Sequence, residues 1–126
     1  VGTRPEIIRL SAVIKKCREH FDTILAHTGQ NYDYTLNGIF FDDLALDQPE
    51  IYLNCVGDNL GRTVGNIIAE SYELMCQVKP DALLILGDTN SCLSAIAAKF
   101  SILQKYYIFI ASRRNTVKWA ILDKWR

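Results

Sequence analysis

Apolar residues recur at helical spacing in two long stretches of the chain, and shorter unbroken aliphatic runs lie between and after them. Over residues 5–21, Ile7, Ile8, Leu10, Val13, Ile14 and Cys17 read as one apolar face, with Arg9, Lys15, Lys16 and Arg18 elsewhere. That pattern predicts an amphipathic helix. Thr3 is a suitable N-cap, Pro5 stands in the first turn, and Glu6 completes a T-x-x-E capping box. A strand is expected to end at Val1, just ahead of Gly2. Residues 23–28 are β-branched and aliphatic and stop at Gly29, as a buried parallel strand would. A short helix over 34–41, a connection over 42–50 containing Pro49, and a brief strand over 51–53 follow. Residues 59–78 carry Leu60, Val64, Ile67, Ile68, Tyr72, Leu74 and Met75 at helical period, up to Lys79-Pro80. Residues 81–86 predict a strand closed by Gly87, 88–100 a helix, and 106–110 a further strand. Strands alternating with helices imply βαβ units and a parallel sheet, so the expected class is α/β.

Composition narrows this picture. The 126 residues are 49% hydrophobic and 22% charged, in the range of one globular domain. No apolar run approaches the roughly 20 residues that cross a bilayer, and no basic leader precedes Val1, so a cytoplasmic protein without membrane association is expected. Cys17, Cys55, Cys76 and Cys92 are widely spaced, without a C-x-x-C pair or a histidine at ligand spacing. Neither a zinc site nor a disulfide framework follows, and Cys17, Cys76 and Cys92 read as small buried hydrophobes within helices.

The net charge of zero conceals an asymmetry: residues 1–104 hold 8 Lys/Arg against 13 Asp/Glu, whereas 105–126 hold 6 basic residues, one acid (Asp123) and both tryptophans. A basic aromatic tail suits RNA or a membrane surface. It is equally what an out-of-frame or replaced C-terminus would produce, and this second reading is preferred. The expected organisation is a partial domain over 1–104 followed by a divergent tail over 105–126.

Ligands of open parallel sheets bind at the C-terminal strand ends. Three glycine-bearing loops lie there: 2–6, 28–31 and 87–91. In the first, a helix N-terminus and the planar donor fork of Arg4 suit a phosphate, although the Walker A spacing is missing. Thr3 and Glu6 acting only as caps, with Arg4 solvated, is an equal alternative. Asp88 stands where partial burial can raise a carboxyl pKa for proton transfer, but an aspartate after a strand is more often a helix N-cap. His20 reads as a helix C-terminal residue, and His27 either lines the cleft or satisfies a backbone carbonyl. The aromatic group Tyr32, Tyr34, Phe40 and Phe41 reads as packing for a short helix rather than a base-stacking platform.

Four segments, V-G-T-R-P-E-I-I-R-L-S at the start, H-T-G-Q-N-Y-D-Y at 27–34, I-F-F-D-D-L at 39–44 and K-P-D-A-L-L-I-L-G-D-T-N-S-C-L at 79–93, occur in the order found in one family. From Val1 to about Lys99 the chain resembles the non-hydrolysing UDP-N-acetylglucosamine 2-epimerases. The variants H-T-G-Q-N-Y-D and G-D-T-N-S-C are similar to the capsule subgroup that makes UDP-N-acetyl-L-fucosamine. The resemblance implies a Rossmann-like, incomplete N-terminal domain of a glycosyltransferase-B type fold, a UDP-sugar substrate and a homodimer in the full-length family. It implies no redox cofactor, no obligatory metal and no nucleic acid. By the same resemblance Asp88 is catalytic, and Arg4, Arg9 and Gln30 bind substrate.

The chain departs from the family after the strand expected at 106–110. There the family continues H-M-E-A-G-x-R with a catalytic glutamate, whereas this sequence reads Ile110-Ala111-Ser112-Arg113-Arg114. A P-E-E segment, a later histidine and the C-terminal domain are also missing. The 126 residues alone are therefore expected to lack epimerase activity, since catalytic groups acting as a unit fail together. A non-catalytic nucleotide-sugar-binding or interaction module is the alternative.

Overall fold

The computed structural model describes residues 1–29, 39, 41–87, 89–101, 107–111 and 117–121, the last two segments by their backbone alone. The chain forms two compact units, Val1–Asn54 and Cys55–Arg126.

The first unit is built on a parallel ladder. Strand β1 (Ala26–His27) pairs in parallel with β2 (Ile51–Tyr52), with His27 opposite Tyr52. Val1 takes a rung on the other edge of β1, because its amino group donates to the Ala26 carbonyl (2.9 Å) and its carbonyl accepts from the Thr28 N–H (2.7 Å). Those two bonds flank His27 as a parallel neighbour would, although Val1 itself is in no assigned strand. The strand expected over 23–28 is shortened to two residues, and the Leu25 N–H is taken by the Glu50 carboxylate at 2.7 Å.

Helix α1 (Arg4–His20) follows Val1 across a two-residue turn. Ile7, Leu10 and Ile14 are buried, Cys17 is half-buried, and Ile8 and Val13 remain 45% and 42% exposed. At 100° per residue, Ile8 lies well round the helix from the line through 7, 10 and 14. The apolar face is thus narrower than the sequence pattern suggested. The capping box also differs from expectation. Thr3 is the N-cap with extended backbone but makes no side-chain cap bond, and the buried Glu6 carboxylate accepts instead from the Gly2 N–H at 2.8 Å.

The far end of α1 is tied down by Arg18, whose guanidinium reaches Asp47 and Glu50, each at 2.6 Å. Of the short helix expected over 34–41, residues 34–38 and 40 lie outside the described residues, and 39 and 41–43 are helical. That helix ends with Leu46 N–H on the Phe41 carbonyl (2.8 Å) and Ala45 N–H on the Asp42 carbonyl (2.9 Å). This is the Schellman arrangement, with Phe41 and Leu46 both buried. Ala45 takes the left-handed position (φ 48°) that glycine usually fills. The buried Phe41 bears out the core role expected of it; Tyr32, Tyr34 and Phe40 lie outside the described residues.

In the second unit, helix α2 (Leu60–Val78) starts at Asn59, whose side chain accepts from the Arg62 N–H (2.9 Å). It ends at Lys79, left-handed at φ 50° and followed by Pro80. Ile67, Ser71 and Met75 face inward, and Leu60, counted on the apolar face by pattern, is 67% exposed in the first turn. Strand β3 (Ala82–Leu86) leads through a 3-10 turn (Asn90–Leu93) into α3 (Ser94–Phe100), where one continuous helix had been expected. Met75, Ile85, Ala97 and Ala98 form the buried core, with Tyr72, Leu83, Cys92 and Ala95 against it. The alanines let α3 approach α2 closely.

Strand β4 (Tyr107–Ala111) pairs with β3 in parallel, Ala82 opposite Tyr107, which completes the expected βαβ unit. Strand β5 (Val117–Ile121) then runs antiparallel to β4, Val117 opposite Ala111. The sequence pattern had not placed a strand there. The fold class is α/β, as expected, with an antiparallel edge strand on an otherwise parallel sheet, a common variation.

Candidate functional site

In the first unit, the C-terminal ends of Val1, β1 and β2 lie side by side, and two of the predicted loops leave from this edge. The turn after Val1 is Gly2-Thr3, and Arg4 is the first residue of α1. Gly2 is buried, and its bond to Glu6 fixes the turn against the first helical turn. Glu6 therefore holds the junction from inside, while Arg4 is exposed at the positive end of the helix dipole. Pro5 brings no N–H to this end. Arg9 is also exposed, but five positions along a helix separate it from Arg4 by about 7.5 Å of rise and roughly 140° of rotation. Helix α1 by itself does not bring the two arginines to one face.

The loop after β1 starts with Thr28, buried and bonded to Val1, and Gly29, whose φ of 77° only glycine adopts at little cost. Gln30, the residue expected to bind substrate here, lies outside the described residues.

His27 is the feature the sequence reading placed incompletely. It neither lines an open cleft nor serves a carbonyl: its ring is 1% exposed, and Nδ1 accepts from the Gly29 N–H at 2.9 Å. The proton therefore sits on Nε2, which is buried and, among the described residues, without a hydrogen-bond partner. Tyr52 lies against the ring, centroids 5.5 Å apart. Burial, and secondarily the charge of the Val1 amino group, lowers the His27 pKa to about 4, so the imidazole is neutral at ordinary pH. No sequence signal marks this bond, because it depends on the left-handed φ of Gly29.

The second unit carries its own strand-end loop, after β3. Thr89 is the N-cap of the 3-10 turn, its hydroxyl on the Leu86 carbonyl (3.4 Å) and its carbonyl accepting from the Cys92 N–H (3.1 Å). Ser94 Oγ donates to the Ser91 carbonyl at 2.7 Å, and both serines are buried. Asp88 lies outside the described residues, and the N-cap position weighed for it belongs to Thr89.

The cysteines divide differently from expectation. Cys17, Cys76 and Cys92 are half-buried, and Cys55 is the fully buried one. Burial, with the nearby negative charge of Glu70, pushes the Cys55 thiol up to about 11, so it is chemically quiet. Among the described residues no group of three or more His, Cys, Asp or Glu is placed to hold a metal ion, and no helix is long and apolar enough to cross a membrane.

Comparison with known proteins gives this arrangement a context. The family model for UDP-N-acetylglucosamine 2-epimerase matches residues 15–104. A UDP-N-acetylglucosamine 2-epimerase homolog of Methanococcus maripaludis is 40% identical over 98 residues, covering 78% of this chain and 28% of the relative. Among solved structures, the UDP-N-acetylglucosamine 2-epimerase of Rickettsia bellii superposes with a TM-score of 0.74 at 47% identity, over 86% of this chain and 28% of that one. The Methanocaldococcus jannaschii UDP-GlcNAc 2-epimerase, solved in complex with UDP-GlcNAc and UDP, gives 0.74 at 32% identity, over 88% and 30%. The chain thus spans little more than a quarter of the length of the proteins it matches.

Proposed function

Because the chain belongs to the UDP-N-acetylglucosamine 2-epimerase family, we propose that it carries part of the nucleotide-sugar site of a UDP-N-acetyl-hexosamine 2-epimerase. The observation that carries this reading is the strand-end junction of the first unit. There the exposed Arg4 opens α1 beside the Thr28-Gly29 turn, in a chain 32% identical to a relative solved with UDP-GlcNAc and UDP. Arg4 supplies a bidentate donor fork to the diphosphate, reinforced by the helix dipole. Arg9 and Gln30 are further substrate contacts, and Asp88 is the acid–base residue near C2.

In the reaction, the C2 proton is removed as the C1–O bond to UDP breaks, which leaves a glycal. Re-addition of UDP at C1 and of a proton to the opposite face of C2 gives the epimer. No redox equivalent is consumed. Proton transfer and support of the leaving diphosphate both require a closed, preorganised site. Since the chain spans 28% of its relatives' length, the 126 residues alone bind UDP-sugar weakly and do not turn it over. The domain boundary proposed is 1–104, with 105–126 a departure from the family; the end of the family match at 104 supports it. A role in capsule or surface polysaccharide synthesis, through UDP-N-acetyl-L-fucosamine, a cytoplasmic location and a homodimeric whole protein complete the proposal. The G-D-T-N-S-C variant at 87–92 supports the subgroup.

Titration of the chain with UDP, UDP-GlcNAc and inorganic phosphate, followed by NMR, tests this reading beside a C2 deuterium-incorporation assay. We expect saturable UDP binding weakened about tenfold by Arg4→Ala, as loss of a charge-assisted pair predicts, and no deuterium at C2. Turnover by the 126 residues would overturn the inactivity. UDP binding indifferent to Arg4→Ala would overturn the site, and salt-sensitive RNA binding lost on deleting 105–126 would make the chain an interaction module.

A further inference from the structure

His27 is a buried titratable group at the strand-end junction whose chemistry the epimerase reading does not use. It is held from three directions. Its carbonyl accepts from the Leu53 N–H at 2.9 Å, the Val1 rung flanks it through Ala26 and Thr28, and Tyr52 lies against its ring. So fixed, it applies Nδ1 to a single backbone group, the Gly29 N–H. The bond spans two residues and closes a ring of the same size as an Asx turn, since imidazole Nδ1 occupies the topological place of an asparagine Oδ1. It anchors the glycine that follows β1 and takes a φ of 77°.

We propose that His27 is a positioning residue of the nucleotide-sugar site: as the neutral Nε2–H tautomer, it holds the Gly29 amide and so sets the Thr28-Gly29 turn at the strand end that faces the ligand. This rests on the UDP-sugar reading above. The role needs a bare Nδ1. A proton there would replace an acceptor with a second donor facing the Gly29 N–H. Nε2 is buried and, among the described residues, without a partner, which opposes that second proton because the cation would be desolvated. The exposed Arg4 would act on the ligand directly, whereas His27 would act only through the backbone of Gly29.

The test uses the 126-residue chain with His27→Asn, His27→Gln and His27→Phe. Asparagine can accept from the Gly29 N–H in the same ring, glutamine places its oxygen one bond too far, and phenylalanine has no acceptor. Hydrogen exchange at the Gly29 amide and UDP titration are read together, with the amides of α1, in the same unit, as the control for unfolding. His27→Asn should keep both Gly29 protection and the UDP Kd within about threefold of the parent. His27→Gln and His27→Phe should each lose about tenfold or more, as expected for one anchoring hydrogen bond. Unchanged Gly29 protection in His27→Phe, or equal loss in His27→Asn and His27→Phe, overturns the proposal. So does Gly29 protection that follows this order while UDP affinity stays constant, which would make the bond a fold contact only. The imidazole nitrogen shifts of the parent chain give a reading that needs no variant: an Nδ1–H tautomer overturns the proposal. If the parent binds no UDP, the UDP-sugar reading fails by itself, and the Gly29 exchange still decides whether His27 sets the turn.

Discussion

Gly57 and Gly65 lie eight positions apart and differ in what a methyl group would meet. A Cβ on Gly57 would stand 2.5 Å from Arg62 Cβ and 3.2 Å from the backbone of Arg62 and Thr63, where the Gly57 N–H donates to Thr63 Oγ1. A Cβ on Gly65, exposed within α2, meets nothing within 4 Å. Gly57→Ala should therefore cost about 1–3 kcal/mol by forcing the loop off the helix. Gly65→Ala should add about 0.5–1 kcal/mol through helix propensity alone. Urea denaturation of the two variants checks both signs. At the same scale, the depressed His27 pKa makes stability depend on pH. The unfolded histidine, near 6.5, takes up a proton before the folded one, near 4, so stability is complete above about pH 6.5 and falls as the pH drops towards 4. The loss from this group is at most roughly 3 kcal/mol. Denaturation midpoints of the parent chain should drop through that window relative to His27→Asn, and parallel profiles would show that burial does not hold the imidazole neutral. The Gly57 and His27 effects could not be read from the sequence, because each depends on what stands within a few ångströms of one atom.

Among the elements, α1 and β2 depend on a pair of groups more than thirty residues apart. Glu50 accepts from Arg18 with one oxygen (2.6 Å) and from the Leu25 N–H with the other (2.7 Å), so it joins the end of α1 to the start of β1. Arg18 is 19% exposed and Asp47 is 86% exposed. The Asp47 arm is therefore screened by solvent and should contribute little, while the Glu50 arm also satisfies a backbone donor. Glu50→Ala should cost about 1–2 kcal/mol and Asp47→Ala less than about 0.5. Thermal melts of the two variants test the ranking, and equal losses would sink it. The elements themselves were largely legible. The periodicity of 5–21 and 59–78 gave α1 and α2, and the aliphatic run before Gly87 gave β3, because local torsional preference and one-sided burial act together over such lengths. The short strands were legible only as neighbourhoods: β1 keeps two of six expected residues, since a strand is defined by its partner.

For the whole molecule, several large apolar side chains face outward: Phe21, Leu60 and Phe100 are each about two-thirds exposed or more. Around Phe21 the outer side of α1 forms an open groove with Ala12, Val13 and Cys17. Surfaces of this kind favour self-association. Light scattering should show apparent mass rising with concentration, and Phe21→Ser combined with Phe100→Ser should reduce the rise. A strictly monomeric parent chain would contradict the expectation.

The sequence by itself determined the α/β class, the family and the three strand-end loops where chemistry was sought. Ordered motifs and hydrophobic period are properties of neighbouring residues, and neighbouring residues are what a sequence contains. Tertiary structure alone decided which apolar residues are buried, that Glu6 serves Gly2 rather than the N-cap, that β5 adds to β4 in the opposite direction, and that His27 grips Gly29. The physical reason is common to all four. A side chain or strand edge is satisfied by whichever group the fold brings within hydrogen-bond or contact distance, and that partner is fixed by packing in three dimensions rather than by spacing along the chain.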